Sequence, residues 1–144
     1  MSKQEQVLLY QFRDEEKLAL TEKTLHKLGI KTRVLPDNAY HEKVGYLLGS
    51  KGFRAATAHE DDGFVFPHEV MVLQNIRNKR LDQVLEALQG AGVEHIRFKA
   101  VVTPLNTLWT LRRLCETMQR EHAAMQEMEM RKEEENMEFF DENR

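Results

Sequence analysis

The sequence has one cysteine, three prolines and no long apolar run. A lone thiol, Cys115, forms no internal disulfide, which excludes a disulfide-stapled secreted fold. The uninterrupted apolar stretches are only a few residues long, such as Val7 to Tyr10, too short for a membrane span or a signal-peptide core. An excess of positive charge is also missing. Lys and Arg number 21 against 24 Asp and Glu, a formal net charge of −3, which argues against a generally basic nucleic-acid binder. These absences lead us to expect a cytoplasmic protein that does not enter membranes.

Standard catalytic and cofactor motifs are absent as well. There is no G-x-x-x-x-G-K-[ST], no G-x-G-x-x-G after a strand, no H-E-x-x-H, no C-x-x-C and no G-x-S-x-G. Gly49-Ser50-Lys51-Gly52 lacks the spacing of a phosphate loop. Cys115 sits on an apolar helix seam without a basic partner, the setting of an inert thiol. His59 with Glu60, Asp61 and Asp62 has metal-ligand chemistry, but its place in a long loop favours a solvated stretch. We therefore expect no cofactor and no metal, and the balance leans away from an enzyme.

What is present is an ordinary globular chain of 144 residues, 41% hydrophobic and 31% charged. That length suits one domain. Sliding the sequence by 63 positions places Val7 on Val70, Gln11 on Gln74, Leu18 on Leu81, Leu25 on Leu88 and Gly29 on Gly92. Each copy opens with an apolar run, VLLYQF (7–12) or VMVLQNI (70–76), of the kind that forms a buried strand. A helical pattern follows and stops at Gly29 or Gly92, where a left-handed cap carries no Cβ penalty. A second strand follows, IKTRVL (30–35) or VEHIRFKAVV (93–102), and runs into Pro36-Asp37-Asn38 or Pro104-Leu105-Asn106. A further helix is expected over Ala39 to Leu48 in the first copy and from Thr107 onward in the second.

The expected fold class is therefore α/β. Two pseudo-repeated β-α-β-α halves, 6–49 and 69–125, surround one mixed or parallel sheet, with a long C-terminal helix. The joining loop, 50–68, is a surface linker or a flap, and Phe53, Phe64 and Phe66 suggest that parts of it pack down. Leu108, Leu111, Cys115, Met118, His122 and Met125 follow the three-and-four spacing of a heptad seam, which suits packing on the sheet or a homodimer through helix 107–125. Residues 126–144 form an acidic tail, helical or disordered, with eight acidic side chains against three basic ones, a net −5. The body, residues 1–125, is left at +2. Met137, Phe139 and Phe140 among those acids give the tail the look of a segment that docks on a protein partner.

A small-molecule site, if one exists, belongs at Lys99, Thr103 and Asn106. These lie at the C-terminal end of a strand expected to be parallel, where open α/β sheets bind ligands and where a helix start favours an anion. Asn38, with Tyr40 and His41 nearby, is the counterpart in the first half. The same P-x-N pattern is also ordinary cap-and-turn chemistry. Arg77, Lys79, Arg80, Arg97, Lys99, Arg112 and Arg113 would serve a weak nucleic-acid binder, which the acidic tail opposes.

The strings EVMVL (69–73), LDQVLEALQGAGV (81–93), FKAVVTPLNTLW (98–109) and REHAAM (120–125) resemble a bacterial family known as domain of unknown function 3783. In the first half VLLYQF (7–12), HKLGIKTRVL (26–35) and VGYLLGSKGF (44–53) resemble its longer members, so the likeness spans about residues 6–125. It implies an α/β domain and carries no assigned activity. The preferred reading is thus a non-enzymatic binding or regulatory module acting through protein contacts. The alternative is a small-molecule or anion-binding protein, or an enzyme acting on such a ligand, with a site at the end of strand 95–102.

Overall fold

A computed structural model describes residues 4–57 and 63–142, with side chains in the last helix described as far as residue 136. The loop stretch His59-Glu60-Asp61-Asp62 and the side chains of Met137, Phe139 and Phe140 lie outside the described residues. Four strands form a single mixed sheet: β1 (Gln6–Tyr10), β2 (Lys31–Val34), β3 (Val70–Gln74) and β4 (Phe98–Val101), in the order β2-β1-β3-β4. β1 pairs parallel with β2 and β3 parallel with β4, while β1 and β3 run antiparallel with Leu8 opposite Val72. The sheet is therefore two parallel crossovers joined back to back.

Strand alternation sorts the apolar side chains onto two faces. Val7, Leu9, Met71 and Leu73 point to one side, where α1 (Glu15–Lys27) and α3 (Lys79–Gly90) cover them with Leu25, Val84 and Leu88. Leu8, Tyr10, Val70 and Val72 point to the other, beneath Val44, Leu111, Leu114 and Cys115. Because both faces are buried, β1 and β3 read as continuous apolar runs instead of alternating ones.

Each crossover helix has its own start and a common stop. Asp14 caps α1, its Oδ1 accepting from the backbone N–H of Glu16 at 3.0 Å and of Lys17 at 3.2 Å. Both helices end where the residue after a glycine bonds back into the last turn. Ile30 N–H donates to the Leu25 carbonyl and Val93 N–H to that of Leu88, both at 3.0 Å, across Gly29 and Gly92 at φ +76° and +88°. Two ion pairs pin the helices down. Lys17 Nζ meets Glu69 at 2.6 Å, and Arg80 grips Glu5 through Nε and Nη2 at 2.7 and 2.8 Å while Nη2 also donates to the Leu28 carbonyl.

Two expected helices are broken in the same way. Instead of one helix over 39–48 there is a 3₁₀ turn (Asp37–His41), an extended step at Glu42 and Lys43, and a short α2 (Val44–Leu47). Instead of one helix from Thr107 there is a 3₁₀ turn (Asn106–Leu108), an extended step at Trp109, and α4 (Leu111–Glu142). The two steps pair antiparallel at Lys43 and Thr110, with Val44 N–H donating to the Trp109 carbonyl and Leu111 N–H to that of Glu42, both at 2.9 Å. Neither step holds Gly or Pro; a tertiary pairing interrupts the helices. Thr110 then restarts the chain, its Oγ1 accepting from the Arg113 N–H at 3.1 Å. The expected strand 93–102 is likewise shorter, because Val93 is held by the helix stop and only Phe98–Val101 join the ladder.

The joining loop packs down through its aromatic residues. Phe66 is buried in the core, Phe64 lies 5.1 Å from Tyr40 and under the Arg112 guanidinium, and the Phe53 ring sits against Gly45. A Cβ at Gly45 would stand 2.3 Å from that ring, so the close approach requires glycine. Glu42 Oε1 accepts from the Ala56 N–H at 2.6 Å and ties the loop to the step between the halves.

Candidate functional site

Thr103 and Asn106 meet, and they meet each other. Thr103 precedes the Pro104-Leu105 turn that leads into the 3₁₀ helix at Asn106, and its carbonyl accepts from the Thr107 N–H at 3.2 Å. The Asn106 N–H donates to Thr103 Oγ1 at 3.1 Å, and the Thr103 N–H donates to Asn106 Oδ1 at 2.8 Å. This reciprocal pair is a capping box, with asparagine in the place usually held by Glu or Gln and proline where its missing N–H costs nothing. Asn106 Nδ2 also donates to the Val101 carbonyl at 3.1 Å, so the buried amide is bonded to backbone on both ends. The arrangement fixes the exit of β4 and keeps the asparagine turned inward.

The first-half turn is built differently. Asn38 is exposed, and its side chain makes no hydrogen bond among the described residues. The turn is held from the core instead: the Tyr10 hydroxyl donates to the Asp37 carbonyl at 2.8 Å. Burial pushes the Tyr10 phenol up to about 12, with Cys115 and Asp37 adding to the shift, so it remains a donor. Since β1 and β3 are antiparallel, β2 and β4 end at opposite ends of the sheet as well as at opposite edges. Asn38 and Asn106 thus follow strands that end at different places, and the chain segments after them converge where Lys43 pairs with Thr110.

Lys99 is separated from the turn too. It pairs in register with Met71, on the face that α3 covers, and its Nζ donates to the Ile96 carbonyl. It lines a cleft of about 340 Å³ with Met71, Leu85, Leu88, Val93 and Ile96. Burial lowers the ammonium pKa from its ordinary value, with no nearby charge to offset the desolvation. The constellation expected from sequence thus resolves into a closed cap, an exposed asparagine and a lysine in an apolar cleft. Its register with Met71 puts Lys99 on the face that α3 covers, and the cleft walls come from a helix end and a loop that sequence patterning does not bring together.

Other groups with chemical promise are committed elsewhere. Cys115 is fully buried, and desolvation with a contribution from Glu116 pushes its thiol up to about 12, the state of an inert core sulfur. His122 packs edge-on against Phe98, 5.5 Å between ring centroids, and its buried Nε2 has no hydrogen-bond partner among the described residues. A wider cleft of about 670 Å³ lies beside the step that joins the halves, lined by His41, Lys43, Phe53, Arg54, Leu108 and Thr110. Among the described residues no His, Cys, Asp and Glu side chains gather as a metal site, and no helix is long and apolar enough to cross a membrane.

The remaining feature is α4 itself. Leu111, Leu114 and Cys115 are buried on the sheet, and Met118 packs against them. The heptad seam is therefore spent inside the molecule over its first two turns. From residue 123 to residue 136 every side chain is exposed, including Met125, Met128 and Met130 at 61%, 58% and 61%.

No curated protein and no solved structure matches the chain. Residues 69–125, from the start of β3 through the sheet-packed part of α4, match the family model described as Domain of unknown function (DUF3783), while the likeness expected for the first half falls outside that segment. The second half of the chain thus resembles this domain, and its capping box, Lys99 cleft and α4 anchor all lie within the matched residues.

Proposed function

We propose that the protein is a non-enzymatic binding or regulatory module that acts through protein contacts made by α4 beyond His122. One observation carries this reading: the exposed run over 123–136 continues a helix whose start is locked into the core. An isolated helix of this length is marginal in water, so a segment without tertiary packing gains most from a partner. Three exposed methionines supply adaptable apolar contact area among charged neighbours. The first partner to test is a second copy of the chain, with the acidic end of α4 as the alternative docking element for another protein. The halves, in this reading, are a duplicated scaffold that presents the helix. The inert thiol and the inward-turned Asn106 favour a scaffold over a catalyst.

Sedimentation of the full chain and of a chain ending at Met125 tests the proposal. The full chain is expected to sediment as a dimer at micromolar concentration, and the shortened chain as a monomer with an unchanged thermal midpoint. Monomers in both cases would contradict self-association.

A further inference from the structure

We propose that the cleft between α3 and β4 binds a small monocarboxylate with an apolar tail, the carboxylate pairing with the Lys99 ammonium. The site lies on the opposite face of the sheet from α4 and stands independently of the function proposed for that helix. Its walls are Leu85 and Leu88 from α3, Val93 and Ile96 from the connection that follows, and Met71 from β3. A volume of about 340 Å³ sits at the low end of the roughly 300–1,000 Å³ of ligand pockets, which sets the ligand size.

The charge argument selects the headgroup. An ammonium has three N–H donors. At Lys99 the Ile96 carbonyl takes one, and among the described residues no carboxylate stands within ion-pair distance. The lysine is half-buried, so its desolvation is uncompensated, as the lowered pKa shows. A ligand carboxylate supplies the missing charge and accepts the free donors. A phosphate dianion fits less well, because among the described residues Lys99 is the sole Lys or Arg lining the cleft, and the exposed Glu94 beside it would oppose a second negative charge. The remaining titratable neighbour is the exposed His95, and Gln89 adds a neutral amide.

Calorimetric titration with hexanoate, with 1-hexanol as the neutral probe of the same tail, tests the site. Saturable hexanoate binding is expected, with hexanol weaker by about ten- to a hundredfold, the worth of a charge-assisted contact. Lys99→Met keeps an apolar stem and should reduce hexanoate binding by the same factor while leaving hexanol unchanged, and Lys99→Arg should retain hexanoate. Equal binding of the two probes, no saturable binding, or hexanoate binding unchanged in a folded Lys99→Met would overturn the proposal. Should Lys99→Met fail to fold, methyl shifts in the unaltered protein decide. Hexanoate must perturb Leu85, Leu88 and Val93, and perturbation elsewhere alone would overturn the site.

Discussion

The two proline turns share a pattern and divide in their physics. Pro104-Leu105-Asn106 is self-contained: Thr103 and Asn106 satisfy each other's backbone and Asn106 reaches back to Val101, all within six residues. Pro36-Asp37-Asn38 leaves its asparagine exposed and relies on a hydroxyl delivered from β1, 27 residues earlier in the chain. A common P-x-N string thus yields one locally encoded turn and one that exists only once the sheet has formed. The deciding residue stands before the proline. Thr103 can serve as an N-cap; Leu35 cannot, and it spends its side chain in the core.

The largest effect should separate the two asparagines. Asn106→Ala removes a buried amide and leaves the half-buried Val101 carbonyl and the Thr103 N–H without their partners, and should lower stability by about 1–2 kcal/mol in urea denaturation. Asn38→Ala should stay within about 0.5 kcal/mol, as surface substitutions do. Equal losses would erase the distinction. Tyr10→Phe should cost about 1 kcal/mol and loosen only the first turn, seen as faster amide exchange around residues 37–41. Thr110→Ala should cost about 1 kcal/mol by uncapping α4, with lost helicity confined to its first turn.

The smallest effect at ordinary pH grows in base. Tyr10 and Cys115 keep their protons in the folded chain up to about 12, whereas unfolding releases them to ordinary values of 10.0 and 9.0. The raised folded values stabilise the protein fully below pH 9. That stability falls as pH climbs from 9 towards 12, at about 1.4 kcal/mol per pH unit for each group once its unfolded form ionises. Cys115→Val should remove the part of the slope that begins near 9, and Tyr10→Phe the part that begins near 10. An identical slope in all three proteins would contradict the burial of both groups.

Much of the fold is legible in the sequence. Apolar runs mark the strands, Gly29 and Gly92 mark the helix stops, and the long terminal pattern marks α4. Two things stay hidden there. The steps at Lys43 and Thr110 interrupt helices through a pairing between residues far apart in sequence, so no local breaker announces them. The Lys99 cleft is closed by Leu85, Leu88 and Val93, which approach β4 only after α3 has docked. The pattern that pointed to Asn106 as a ligand group is the pattern of a capping box, and proximity alone distinguishes the two.

The most direct measurement on the role of α4 is amide hydrogen exchange along the helix at several protein concentrations. Protection over residues 111–122 should be strong and independent of concentration, since the core holds that part. Protection beyond residue 123 should rise with concentration as copies associate. Weak protection there at every concentration would contradict a helix that works by engaging a second copy.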